Sequence, residues 1–112
     1  MISPDNAEKY LPLTEATYYI MVALVEPRHG YAVMRKVAEI SSGAVKIGPG
    51  TLYGAFLTLE KEGLIVKVSE EERRKSYTLT PKGRIVLLLQ LERLGNMMKN
   101  GAAVFNPVSS DK

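Results

Sequence analysis

Apolar positions recur along this chain first at helical spacing and later at alternating spacing, and the change of period outlines its architecture. Ala16, Thr17, Ile20, Met21, Leu24 and Val25 follow one another at the three- and four-residue steps of an amphipathic helix. Thr14 is placed to cap that helix, Glu15 suits the positive end of its dipole, and Pro27 ends it. His29-Gly30 turns the chain into a second helix, with Tyr31, Met34, Val37 and Ile40 expected inward. Ser41-Ser42-Gly43 closes it, Gly43 being suited to the left-handed conformation beyond a helix C-terminus. Val45-Lys46-Ile47 is long enough only for a short strand.

Gly48-Pro49-Gly50-Thr51 opens a third helix, where Pro49 is tolerated because first-turn N–H groups have no partner. Leu52, Ala55, Phe56 and Leu59 form its inner face, and Gly50, Tyr53, Gly54, Leu57, Thr58 and Lys61 its outer face. Gly63 ends it, and the period changes to two. Leu64 to Ser69 reads as a strand with Leu64, Val66 and Val68 on one side and Lys67 on the other. Glu70-Glu71-Glu72 is a polar turn, and Arg73 to Leu79 returns as a second strand. Thr80 with Pro81 starts a last helix through about Met98. A helix followed by a hairpin with a basic arm is the outline of a winged helix. The expected fold class is therefore mainly α with a small β-hairpin, a winged helix-turn-helix plus a C-terminal dimerisation helix. The expected division is a loose N-terminal arm over 1–12, the winged helix over 13–80, the dimerisation helix over 81–104 and a flexible tail over 105–112.

At 112 residues the chain makes one domain, and burying about 60–70% of the unfolded surface gives a core without staples. Cysteine is absent and histidine occurs once, which removes disulfides, thiolate ligands and histidine-rich metal sites. No cofactor is expected. No charged-then-apolar leader pattern and no bilayer-length apolar run is found, so a soluble, cytoplasmic protein without a membrane partner is expected. Enzyme chemistry is not expected either. There is no Cys/His pair and no clustered carboxylates on an apolar face, and Gly48, Gly50 and Gly54 lack the strand-loop-Lys-Ser/Thr pattern of a phosphate loop.

The net charge of +3 is modest, but its distribution is not even. Residues 1–43 carry 4 basic and 5 acidic side chains, residues 44–84 carry 8 and 5, and residues 85–112 carry 3 and 2. The basic excess thus falls on the helix-and-hairpin segment, the footprint expected for double-stranded DNA. Thr51, with a hydroxyl and a methyl, and Tyr53, with a phenol and a flat ring, are the candidate base readers at the start of the third helix. Lys46, Lys61, Arg73, Arg74 and Lys75 are candidates for phosphate or groove contacts. Alternation places Arg73 and Lys75 on one side of the returning strand and Arg74 on the other. The competing use of these cations is pairing with Glu70, Glu71 and Glu72. His29, at the start of the second helix, is able to donate to a phosphate or to cap its helix. Tyr18-Tyr19 fit core, interface or phosphate contacts equally.

In the last helix Leu87, Leu91, Leu94 and Met98 stand at spacings of four, three and four, a short heptad-like seam. Ile85, Leu88 and Leu89 widen it beyond what a small domain covers, so a second copy of the chain is its expected cover. A two-fold dimer presents two reading helices to half-sites about one or two DNA turns apart.

Taken together, these residues resemble the PadR-type transcriptional regulators in their short form, over roughly 13–98. The resemblance rests on Tyr18-Tyr19, His29-Gly30-Tyr31, Gly48-Pro49-Gly50-Thr51-Leu52-Tyr53, Glu62-Gly63-Leu64-Ile65, and Arg73-Arg74-Lys75 leading to Tyr77, Leu79, Thr80, Gly83 and Arg84. It implies a homodimeric winged-helix repressor of efflux, detoxification or stress-response genes, released from DNA in some members by a small molecule. Thr51 and Tyr53 fall in its reading-helix motif, Arg73 and Arg74 in its wing motif. Thr58 stands where the family often has a basic residue, and Glu70-Glu71-Glu72 where it often has a glycine, which implies weaker phosphate contacts. The tryptophans that hold flat drugs in some members are absent here, leaving Met97, Met98 and Phe105 as candidate lining of a substitute effector pocket. The alternative is a winged helix used as a protein–protein adapter without specific DNA binding. A third reading is a ligand sensor whose DNA binding is weak or lost.

Overall fold

Residues 4–106 are described by the computed structural model. They run as α1 (Pro4–Ala7), a 3-10 turn (Glu8–Tyr10), α2 (Glu15–Ala23), β1 (Arg28–His29), α3 (Gly30–Ile40), α4 (Pro49–Lys61), β2 (Ile65–Glu71), β3 (Arg74–Leu79) and α5 (Pro81–Phe105). The helices pack against one end of a three-stranded antiparallel sheet ordered β1-β3-β2, whose β2-β3 hairpin projects as an exposed wing, the winged-helix arrangement anticipated from the change of period. The Thr14 side chain accepts the Thr17 N–H at 3.1 Å and so starts α2. Thr80 does more. Its Oγ1 accepts the Gly83 N–H at 3.0 Å and donates to the Gly63 carbonyl at 2.6 Å, joining the start of α5 to the end of α4.

One apolar core unites every major element. Ile20, Met21 and Leu24 enter it from α2 and its C-cap, Val33 and Val37 from α3, and Leu52, Phe56 and Leu59 from α4. Leu64, Ile65, Tyr77 and Leu79 come from the hairpin region, Val86 and Leu87 from α5. Each large aliphatic side chain buried here contributes about 1.5–3 kcal/mol relative to exposure. The Phe56 and Tyr77 rings, with centroids 4.9 Å apart, hold α4 against β3 and so fix the helix relative to the wing.

Several expectations are corrected. Residues 4–12 of the expected N-terminal arm are folded. Helix α1 packs against α5, Ala7 is fully buried, and Tyr10 Oη donates to Glu62 at 3.3 Å. Leu13 N–H donates to Oε1 of the buried Gln90 at 3.0 Å, tying the chain ahead of α2 to α5. Elements of three or four residues are too short to leave a period in sequence.

Val45–Ile47 forms no strand. The additional strand is β1, which pairs Arg28 with Tyr77 and His29 with Ser76. In α3 the buried residues are Gly30, Val33 and Val37, so Tyr31 and Ile40 face outward and only Met34 and Val37 of the expected set turn in. In the wing, Ile65 is buried while Val66 and Val68 are exposed, because Leu64 is buried ahead of the strand and does not set its parity. A register irregularity between Lys67 and Ser69 interrupts the alternation. The turn is Glu72-Arg73, both at positive φ (50° and 70°), the conformation of a two-residue hairpin turn that matches the strand twist. Strand β2 therefore continues to Glu71, and Arg73 leaves β3.

Helix α5 continues to Phe105, beyond the expected end near Met98, and the part of the expected tail at 107–112 lies outside the described residues. From Leu91 onward every described residue of the helix is exposed. The radius of gyration of 16.3 Å exceeds the value of about 13 Å for a compact chain of this length, as a projecting helix requires.

Candidate nucleic-acid interface

Strand β1 sets the geometry of the site. By pairing with β3 it brings the start of α3 beside the arm of the wing, and α4 packs across both. Between α4 and the hairpin runs a groove of about 520 Å³. Five of the eight residues expected to touch DNA line it: His29, Tyr53, Arg73, Arg74 and Lys75; all three wing cations border one groove, against the split expected from alternation, since Arg73 lies in the turn and not in β3. Thr51, Lys46 and Lys61 are exposed at the start of α4, in the loop before it and at its end, and do not line the groove.

His29 has two contacts. Its Nδ1 accepts the Ala32 N–H at 3.4 Å and caps α3, while its Nε2 lies 3.5 Å from a guanidinium nitrogen of Arg74. An accepting Nδ1 places the ring proton of the neutral imidazole on Nε2, an assignment made from the hydrogen-bond pattern. Nε2–H and the guanidinium are then two donors side by side, an arrangement completed by an oxygen acceptor between them.

Of the wing cations Lys67 pairs with Glu70 of the acidic tip, whereas Arg73, Arg74 and Lys75 form no ion pair with it, although Glu71 and Glu70 stand opposite Arg74 and Lys75 in the strand register. Among the described residues the ion pairs are Arg28–Glu26, Lys36–Glu39 and Lys67–Glu70, and none uses Arg73, Arg74 or Lys75. The 3.0 Å Lys67–Glu70 hydrogen bond holds the Glu70 carboxyl below and the Lys67 ammonium above their ordinary pKa values. Glu60 also lines the groove, and the Tyr77 phenol is pushed up by burial and, less, by the Glu60 charge. At the start of α4, Gly48 supplies no side-chain cap for the first-turn N–H groups, of which Pro49 has none.

Gly30, Tyr31, Phe56, Leu57, Glu60 and Tyr77 complete the groove, and of these the exposed Tyr31, Leu57 and Glu60 are not among the site residues expected from the sequence. Tyr31 was expected inward, and only the phase set by Val33 and Val37 reveals its exposure. Leu57 was correctly placed on the outer face, but an outward leucine alone signals nothing. A second basic surface, of Arg28, Arg35 and Lys36, lies along α3, with the Arg35 guanidinium 5.8 Å from the Tyr31 ring centre. Tyr18 and Tyr19 are half-buried against the core with their rings edge to face at 5.1 Å.

Of the seam expected between copies, Leu87 is only 5% exposed and belongs to the chain's own core. Its helical phase turns it toward α2 and the sheet before α5 leaves the domain. Leu91, Leu94 and Met98 are exposed on the projecting part, joined by Leu88 and Met97. Among the described residues no helix is long and apolar enough to cross a membrane, and no group of three metal-ligating side chains is found.

Comparison with known proteins places this geometry in context. Residues 20–88, more than half of the chain, match the model of the transcriptional regulator PadR-like family. An uncharacterized 37.1 kDa protein in a transposon of Streptomyces fradiae is 36% identical over 74 residues, covering 65% of this chain and 21% of that protein. The chain thus spans about a fifth of that relative's length. Among solved structures, a PadR-like transcription factor of Bacteroides fragilis superposes with a TM-score of 0.70 at 24% identity, over 89% of this chain and 99% of the other. Bordetella bronchiseptica BpsR, described by the regulation of its DNA binding by 6-hydroxynicotinic acid, gives a TM-score of 0.66 at 21% identity, over 94% and 75%.

Proposed function

The chain belongs to the PadR-like family of transcriptional regulators, and from that premise we propose that it is a sequence-specific DNA-binding repressor acting as a homodimer. One observation carries the reading: the groove between α4 and the wing gathers Arg73, Arg74, Lys75, His29 and Tyr53, with no carboxylate paired to its three cations among the described residues. Helix α4 enters the major groove with Thr51 and Tyr53 toward base edges. The wing lies along the flanking backbone, and the His29 and Arg74 donors converge on one phosphate oxygen. Lys46 and Lys61 extend the phosphate contacts beyond the groove. The regulated genes are of the efflux or stress-response kind, and a small molecule relieves repression, as 6-hydroxynicotinic acid regulates DNA binding by BpsR.

The projecting half of α5 supports the dimer. A helix that leaves its domain with Leu91, Leu94 and Met98 uncovered gains apolar burial only from another surface, and a two-fold copy offers the same seam in return. The exposed seam also suits the adapter reading, in which this helix meets a different protein and α4 reads nothing. Footprinting over the DNA upstream of the chain's own gene separates the two. The expected result is two protected segments about one or two helical turns apart. Uniform, unprotected DNA at protein concentrations that saturate the dimer would favour the adapter.

A further inference from the structure

Resting on that DNA-binding reading, we propose that Leu57, set beside Tyr53, is a specificity-determining residue that recognises thymine methyl groups in the major groove. The exposed residues of α4 are Pro49, Gly50, Thr51, Tyr53, Gly54, Leu57, Thr58, Glu60 and Lys61. Arginine, asparagine and glutamine, the side chains that grip guanine or adenine with two hydrogen bonds, are missing from this face. What it offers instead is apolar. Tyr53 is 56% exposed and Leu57 72% exposed, one helical turn apart and therefore neighbours.

The two side chains are held differently. The Tyr53 ring leans on α3 at Gly30, where an added Cβ would lie 3.2 Å from the phenol oxygen, and it meets Phe56 edge to face at 6.3 Å. It is a fixed wall. Leu57 stands beyond it in the groove, with Arg73, Arg74 and Lys75 on the opposite side. Glu60 lies on the α4 side of the groove, but the wing side facing Leu57 carries three cations, and an uncovered leucine opposite them fits a surface that is apolar at its centre and anionic at its edge. The major groove is such a surface only where a thymine places its C5-methyl between the two phosphate backbones. An apolar patch on a protein partner would fill the centre and leave the three cations unmatched.

The test begins with duplexes selected by the purified full chain from a randomised pool. Each thymine of the selected half-site is then replaced by deoxyuridine, which removes the methyl and leaves base pairing intact. At one or two positions per half-site the substitution should weaken binding about fourfold, and about fifteenfold when made in both half-sites. Leu57→Ala, a change at an exposed position, should abolish the preference for thymine over uracil at those positions and leave the salt dependence unchanged. Uracil tolerated everywhere within about twofold would overturn the assignment, as would a Leu57→Ala loss equal on both duplexes. Either result leaves the DNA-binding reading standing. Failure to select any duplex would overturn that reading and this inference with it.

Discussion

Nε2 of His29 lies 3.5 Å from a guanidinium nitrogen of Arg74 although the two residues are 45 positions apart, and the contact joins the start of α3 to the tip of the wing. Since Nδ1 is occupied by the Ala32 N–H, both facing groups are donors. His29 thus acts on stability through one nitrogen and on an anion through the other, and substitution separates these roles. Asparagine keeps a cap acceptor, and the N–H of its shorter amide does not reach the position that Nε2 occupies. His29→Asn should hold the unfolding midpoint near wild type and weaken binding to every duplex about three- to tenfold, the worth of one hydrogen bond from a neutral donor to phosphate. Parallel urea titrations and duplex titrations check it. A fall in stability with unchanged DNA affinity would make His29 a structural cap only.

Arg73 and Arg74 have no carboxylate partner among the described residues, so removing them leaves no unpaired acid behind. Replacing both by alanine should weaken binding to specific and unrelated DNA alike. It should also lower the slope of log affinity against log salt by roughly 0.9 for each phosphate that is no longer neutralised. A slope equal to wild type would mean that neither arginine neutralises a phosphate.

Gly83 packs so closely under Leu64 that a Cβ would run into the Leu64 carbonyl oxygen, a backbone atom with no rotamer to escape by. The same turn of α5 is fixed by the Thr80 cap and by Lys82 Nζ, which donates to the Glu62 carbonyl at 2.9 Å. Gly83→Ala should destabilise the fold by about 1–3 kcal/mol, the range for overpacking a site that cannot relax. Chemical denaturation measures it, and a midpoint within error of wild type would show that the α5–wing junction gives way.

Burial holds the Tyr77 phenol protonated above the pH at which the unfolded chain releases the proton. Its contribution is therefore intact below about pH 10 and lost as pH rises through the folded-state value. Tyr77→Phe should remove part of the decline in stability on the alkaline side, seen as a shallower fall of the denaturation midpoint above about pH 10. Identical slopes for the two proteins would contradict a buried, protonated phenol.

Helix α5 beyond Leu91 has no cover of its own, so charges placed on it should act on assembly and not on folding. Leu91→Glu with Leu94→Glu should leave the winged domain folded and shift sedimentation from dimer to monomer. A variant that remains dimeric would place the interface elsewhere, on α1 or α2.

The sequence revealed most where a residue has a local duty. Thr14, Thr80, Gly43 and Gly63 mark helix ends through caps and left-handed turns that depend on the residue itself. The inner face of α4 was legible because thirteen residues leave a clear period. What stayed hidden depends on distant partners. Strand β1 is two residues long and exists because β3 offers Tyr77 and Ser76 to pair with. Residues 4–12 are held by partners far along the chain, since Ala7 is buried where α1 meets α5, and the Leu13 N–H just after them finds its acceptor in Gln90, 77 positions away. Leu87 and Leu91 occupy equivalent steps of one seam, yet one is buried and the other bare, since only the fold decides where α5 leaves the domain. The same limit applied to the site, where the wing cations could be named but their distance from Glu70 could not.

The most direct test is the affinity of the purified protein for the DNA upstream of its own gene and for an unrelated duplex of equal length, at low and at physiological salt. The account predicts a preference for its own DNA that persists at physiological salt. Equal binding to both duplexes, erased by salt, would contradict a sequence-reading groove between α4 and the wing.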